Sequence, residues 1–230
     1  MEQDSVLVAT DAWKSAFPGA SVGALVMSGA DNPELSEPLD ARKRQLEESL
    51  RADAARAGPE RLAGQPRFRA YLDYYRTHGK TYHVKAQWES VAVKGKPIPS
   101  RAALVEAMFM AELKNLMLTA GHDLTAVALP VRVDVTREGD RYVAINGTEQ
   151  VPAAGDMMMV DGEGIISSVL QGPDWRTRIT PETSEVLFAV YAPAGVGENA
   201  VRSHLEDIAA NVLLVAPQAK IGVLATLTAE

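Results

Sequence analysis

The first apolar run of the chain, residues 21–27, reads Ser-Val-Gly-Ala-Leu-Val-Met with no polar alternation and is bounded by Gly19 and Gly29. Such a run predicts a strand buried on both faces. Ser36 with Pro38 in the first turn opens a helix whose apolar stripe is Leu39, Leu46, Leu50 and Ala54, ended by Gly58-Pro59. Phe68, Tyr71, Leu72 and Tyr75 fall at i, i+3, i+4 and i+7 and mark a second helix, which Gly79 stops. A short helix is expected at 87–93. After the proline-bearing loop 94–100, Ser100 is the expected N-cap of a long helix at 101–119.

From Thr125 onward the period changes from about 3.6 to two. Val127, Leu129, Val131, Val133 and Val135 alternate with other residues and predict a strand with one apolar face. Glu138-Gly139-Asp140 turns it into a strand at 141–145, and Asn146-Gly147 is a hairpin signal for a type I′ turn. Further strands are expected at 165–170, 185–191 and 221–227. A helix at 198–212 separates the last two, with Val201, Leu205, Ile208 and Val212 turned inward. Helices come first and a β-meander later, which predicts an α+β fold of helices packed on a mostly antiparallel sheet. Without a repeat or a long linker, residues 1–230 are expected to form one domain.

Composition narrows the function. No cysteine is present among the 230 residues, which removes disulfides, thiol catalysis and zinc–thiolate sites. No apolar run is long enough to span a bilayer, and the acidic start is unlike a secretory signal, so no membrane partner and a cytoplasmic location are expected. A net charge of −7 argues against wrapping DNA or other long nucleic acid. The charge is uneven: from Arg67 to Arg101 the cations face only Asp73 and Glu89, a solvated surface or a patch for a few phosphates.

Several residues could carry chemistry. On the helix at 101–119, Asn115 shares a face with Leu104, Met108, Ala111 and Leu118. A carboxamide there either bridges core backbone or reaches a substrate amine or carbonyl. His122 beside Asp123 could supply a general base or orient a hydroxyl, or simply support structure. Gly172, Asp174, Trp175, Arg176 and Thr177 form a loop that offers a stacking face and a phosphate fork, or else an exposed turn with the Trp as a lid. Thr183, with Thr180, either caps a turn or faces a pocket. Tyr82 reads as a core aromatic, with His83 and Lys85 beside it in the basic stretch, and His204 reads as a packing residue. The four histidines lack ligand spacing, and neither a phosphate-cradling loop nor a serine-nucleophile elbow occurs, so no metal and no cofactor are expected.

Six short motifs follow one another in a set order over about 200 residues. They are Phe17-Pro18-Gly19 before a strand, the Tyr75–Tyr82 stretch Tyr-Arg-Thr-His-Gly-Lys-Thr-Tyr, and Gly95-Lys96-Pro97-Ile98-Pro99 before the helix that carries Asn115. Then come Ala120-Gly121-His122-Asp123-Leu124, Pro152-Ala153-Ala154-Gly155-Asp156, and Gly172 to Thr177 with Thr180-Pro181-Glu182-Thr183. In this order, from about 17 to 217, the chain resembles the B3/B4 tRNA-editing domain family of the phenylalanyl-tRNA synthetase beta chain. The resemblance implies a trans-acting hydrolase of mischarged aminoacyl-tRNA. Asn115, His122 and Asp123 would be its catalytic residues, and Tyr82, His83, Lys85, Gly172, Asp174, Trp175, Arg176, Thr177 and Thr183 would meet the aminoacyl-tRNA 3′ end. Ala120 stands where the synthetase has a second histidine, and Ala189 and Val190 stand where it has an acid. Those departures point to a different amino acid or ligand, or to a non-catalytic module for RNA or an amino-acid-like ligand. A purely structural interaction protein is the third reading.

Overall fold

A computed structural model describes residues 6–57, 62 and 64–230. Strand β1 (Leu7–Ala9) and helix α1 (Asp11–Ala16) lead into strand β2 (Ser21–Ser28), the apolar run with which the chain opens. Helices α2 (Glu37–Ala57), α3 (Pro66–Thr77), α4 (His83–Ala92) and α5 (Ala103–Asn115) follow. The expected stop signal Gly58-Pro59 lies outside the described residues. Next come strand β3 (Leu118–Asp123), a 3-10 turn (Leu124–Ala126), and strands β4 (Val131–Val135), β5 (Tyr142–Val143), β6 (Glu149–Gln150), β7 (Met157–Val160), β8 (Ile165–Ser168), β9 (Gly172–Pro173) and β10 (Glu185–Ala192). Helix α6 (Glu198–Val215) and strand β11 (Lys220–Thr228) complete the order.

The architecture is α+β. One sheet runs β11-β2-β10-β3, antiparallel at every step; the other runs β1-β4-β7-β8-β9, parallel only between β1 and β4. β2 is buried along nearly its whole length, as a central strand with helices against it should be. Helix α6 lays Val201, Leu205, Ile208 and Val212 on the first sheet, all essentially inaccessible. Each such burial stabilises the fold by about 1.5–3 kcal/mol. Gly23 makes the approach possible: a Cβ there would come 2.5 Å from Val201 Cγ1 and 2.9 Å from Leu205 Cδ1.

Four expectations from the sequence need correction. The long helix ends at Asn115, not 119, because Leu116 takes a left-handed conformation (φ 55°) and the chain turns into β3. Tyr82 Oη donates to the Leu116 carbonyl at 3.1 Å, and the freed Thr119 N–H donates to Glu112 Oε1 at 2.7 Å. The N-cap is Ala102, and Ser100 instead accepts from Lys43 Nζ at 2.7 Å. The alternating stretch is a strand only from Val131, since Asp123 caps a 3-10 turn at Thr125 N (2.9 Å) and holds 124–126 out of the ladder. The hairpin at Asn146-Gly147 forms, but Asn146 keeps a negative φ. Its Oδ1 accepts from Thr148 N at 3.0 Å and Thr148 Oγ1 at 2.7 Å, so a side-chain turn does the work of a type I′ turn.

No helix among the described residues is long and apolar enough to cross a membrane.

Candidate functional site

The sequence-derived residues fall into three separate places. His122, Asp123, Gly172, Asp174, Trp175, Arg176, Thr177 and Thr183 gather where the free edge of β3 meets the segment after β9. Asn115 lies between α5 and α6. Tyr82, His83 and Lys85 lie at the start of α4.

The first place is a seam between the two sheets. β3 is an edge strand of its sheet, and residues 174–183 close that edge. His122 bridges to Arg178, and Asp123 N donates to the Thr177 carbonyl at 2.7 Å. Gly121 lets this happen, since a Cβ there would meet Ile179 Cδ1 at 2.7 Å and Met108 Sδ at 3.0 Å. On the opposite face of β3, the fully buried His122 places Nδ1 2.7 Å from Thr177 Oγ1. The Thr177 hydroxyl gives its proton to Asp174 Oδ1, so it can only accept from the imidazole. That fixes the tautomer: Nδ1 carries the proton and Nε2 carries a lone pair. Nε2 is buried and has no hydrogen-bond partner among the described residues. Burial pushes the pKa of His122 down to about 3; the charge of Asp161 works upward and that of Arg176 downward. The ring is therefore neutral at physiological pH, and its free nitrogen accepts hydrogen bonds without taking up a proton.

The rest of the seam is tightly engaged. Asp161 is buried, yet its carboxylate is held below the ordinary range. Burial opposes this, but the Ala128 and Glu163 N–H groups and the Arg176 guanidinium outweigh it. Arg176 donates to Asp161 Oδ2 at 2.7 Å and to the Ala126 carbonyl, with Glu163 at 3.4 Å. Its fork is thus occupied by the protein. Trp175 is 44% exposed, with the Arg178 guanidinium stacked 3.7 Å from the ring centroid. Thr183 Oγ1 donates to Asp123 Oδ2 at 2.7 Å and accepts from Thr180 N at 2.9 Å, a turn lock that also anchors Asp123. Gly172 accepts from Tyr142 Oη at 2.8 Å. A cavity of about 320 Å³ opens beside Tyr142, Glu163, Asp174, Trp175 and Arg176, so Asp174 links the cavity wall to the His122 relay. Asp161 escaped the reading of the sequence; its signal is the Asp-Gly-Glu-Gly turn, where its Oδ1 accepts from Glu163 N and Gly164 N.

Asn115 is half-buried and turned toward α6. Its Nδ2 donates to Asp207 Oδ2 at 2.8 Å and lies 3.1 Å from His204 Nδ1. His204 Nε2 lies 2.7 Å from Thr119 Oγ1. Both nitrogens of this second buried imidazole are thus partnered, as expected for a packing residue, and burial pushes its pKa down to about 3. Glu112, whose carboxyl accepts from Thr119 N, is pushed by burial up to about 8.

Tyr82 is a core aromatic, stacked on Tyr71 at 4.8 Å between centroids. His83 is an exposed ring set edge-on to Tyr75 and Tyr82, and Lys85 pairs with Glu89. Among the described residues there is no group of three or more potential metal ligands.

No family model matches the chain, and no curated protein matches it by sequence. Its fold is similar to a solved N-terminal fragment of the phenylalanyl-tRNA synthetase beta-subunit from Pyrococcus horikoshii, with a TM-score of 0.51 at 11% identity. The match covers 98% of this chain and 54% of that one, so the chain spans about half the length of the fragment.

Proposed function

We propose that residues 1–230 form a domain of the B3/B4 type that acts in the cytoplasm on the 3′ end of mischarged aminoacyl-tRNA, with the seam at His122 as its site. The observation that carries the reading is the buried, unpartnered Nε2 of His122, its tautomer set by Thr177 and Asp174. A buried acceptor without a partner costs about 1–3 kcal/mol, and a donor from outside the chain would recover it. The likeness to a synthetase beta-subunit fragment supports an aminoacyl ester as the source of that donor.

With a pKa near 3, His122 is too weak a base to take a proton from water. It would accept a hydrogen bond from the substrate's α-ammonium or terminal ribose hydroxyl and so hold the ester in place. Water oxygen then adds to the ester carbonyl and the bond to the ribose oxygen breaks. The ribose oxygen takes a proton from the attacking water, and the free amino acid leaves. Catalysis of this kind is positioning in a dry site rather than covalent chemistry. In this reading Asn115 supports the α5–α6 packing and Asp123 anchors the Thr183 turn.

The test is deacylation of a panel of radiolabelled aminoacyl-tRNAs by the purified protein, by His122→Leu and by Asn115→Ala. The expected result is release of one or a few amino acids, reduced by about 10²-fold in His122→Leu, the scale of a lost oriented contact, and retained in Asn115→Ala. No release from any member, or equal release by His122→Leu, contradicts the proposal.

A second reading, a non-catalytic module for RNA or an amino-acid-like ligand, has one observation in its favour. Arg176 and Asn115, two of the groups best suited to touch substrate, are bonded within the chain. Retention of aminoacyl-tRNA on a filter without hydrolysis would select it.

A further inference from the structure

A cavity of about 400 Å³ lies away from the seam and shares no lining residue with the seam cavity. It sits between α4, the loop at 95–101 and α5. Val91, Val105, Phe109, Pro97 and Pro99 supply an apolar wall, and Lys96 and Arg101 stand at its rim. Neither cationic side chain makes an ion pair or hydrogen bond among the described residues, whereas Lys85 and Arg76 of the same basic stretch are paired with Glu89 and Asp73. The lining also includes Gln87, whose Oε1 is buried with no partner among the described residues.

The loop over this cavity is held open by buried charge. Glu47 Oε1 accepts from Ile98 N at 2.7 Å, and Glu106 Oε1 accepts from Arg101 N at 2.6 Å. Lys43 Nζ donates to Ser100 Oγ at 2.7 Å and pairs with Glu106 at 2.6 Å and Asp40 at 2.7 Å. Lys96 N donates to the Ser90 carbonyl at 3.0 Å, and Arg51 reaches the Gly95 carbonyl at 3.3 Å. Lys43, Glu47 and Glu106 are all buried. Burying ions is costly, and they are retained where they fix a geometry. Here the geometry is a rigid loop that does not collapse onto the apolar wall, a pre-formed concave site of ligand-binding size.

We propose that this cavity binds a small carboxylate with an apolar body and one N–H or O–H donor. The carboxylate faces Lys96 and Arg101, the body packs on Val91, Val105 and Phe109, and the donor meets Gln87 Oε1. Each ligand feature answers a group that the described residues leave unanswered: two free cations, an uncovered apolar wall and an orphaned acceptor. The inference does not depend on the seam chemistry.

Calorimetric titration with three probes tests it. 3-Phenyllactate has carboxylate, ring and hydroxyl donor; 3-phenylpropionate lacks the donor; 3-phenyl-1,2-propanediol keeps the hydroxyl donor and lacks the carboxylate. 3-Phenyllactate is expected to bind about tenfold more tightly than 3-phenylpropionate, the worth of one buried hydrogen bond, and the diol most weakly. Gln87→Leu should erase the difference between the two acids without lowering thermal stability, because it removes an orphaned group. Lys96→Ala with Arg101→Ala, both at the surface, should weaken both acids and remove the salt dependence of binding. His122→Leu should change none of these affinities. Failure of all three probes to bind at millimolar concentration, or affinities unchanged by Gln87→Leu and by the cation pair, would overturn the proposal.

Discussion

The chain buries two histidines completely, and they differ in one nitrogen. His204, between α5 and α6, has Thr119 on Nε2 and Asn115 on Nδ1, in a polar chain that continues to Asp207 and Lys114. His122, at the seam of the sheets, has Thr177 on Nδ1 and, among the described residues, nothing on Nε2. Both rings are driven neutral by burial, so their environments match in solvation and differ in bonding. A closed account of donors and acceptors marks a group that holds the fold together. An open one marks a place where the fold tolerates a cost, and such places gather at sites of function.

The widest separation between the two should come from stability. His204→Leu strips a buried threonine hydroxyl of its partner and loosens Asn115, so unfolding in urea should show a loss of about 2–3 kcal/mol. His122→Leu removes the orphaned nitrogen, and Thr177 keeps Asp174, so the same measurement should show less than about 1 kcal/mol. Equal losses would erase the distinction. Next in size is Gly121→Ala. Its methyl group would press on Ile179 and Met108 and move the segment that carries Thr177, with an expected loss of about 1–3 kcal/mol.

The pH dependence gives a smaller effect with a definite sign. Below about pH 6.5 the unfolded chain protonates both histidines while the folded chain refuses the protons down to about pH 3. Stability therefore falls with acid through that window. Glu112 acts oppositely: the folded chain keeps a proton up to about pH 8 that the unfolded chain releases near pH 4–5, so its contribution falls as pH rises. Among these three groups, two histidine protons outweigh one carboxyl proton below about pH 6.5, and the carboxyl acts alone above it, by about 1.4 kcal/mol per pH unit for each proton. The urea midpoint should peak near pH 6.5, and Glu112→Gln should flatten the alkaline side and steepen the acid side. Trp175→Ala should have the smallest effect, about 0.5 kcal/mol or less, since it removes an exposed cation–π contact.

The sequence carried the local patterns well. The apolar run before Gly29, the Val201–Val212 stripe and the 185–191 strand all appear where periodicity put them, because each is a long element with one dominant period. Tertiary contact decided the rest. Helix α5 stops at Asn115 because Leu116 turns sharply and β10 recruits 118–123 as a ladder partner, which no local propensity announces. Four neighbouring methionine-rich positions hide β7 for the same reason, since Met157–Val160 is a strand by its pairing with β4 and β8. Among candidate site residues, His122, Asp174 and Thr177 lie within one relay. Asn115 left that group once its helix ended early and its amide faced α6. The fork of Arg176 was visible in the sequence, but the carboxylate that occupies it, Asp161, stands 15 residues away and is joined to it only by the sheet.

The most direct test of the open nitrogen is the ¹⁵N NMR spectrum of histidine-labelled protein across pH, with and without a non-hydrolysable aminoacyl-tRNA 3′-end analogue. His122 is expected to stay neutral with its proton on Nδ1 down to about pH 4, and its Nε2 resonance to move on addition of the analogue while both nitrogens of His204 stay fixed. A His122 that titrates near pH 6.5, or an Nε2 signal that the analogue leaves unmoved, would contradict it.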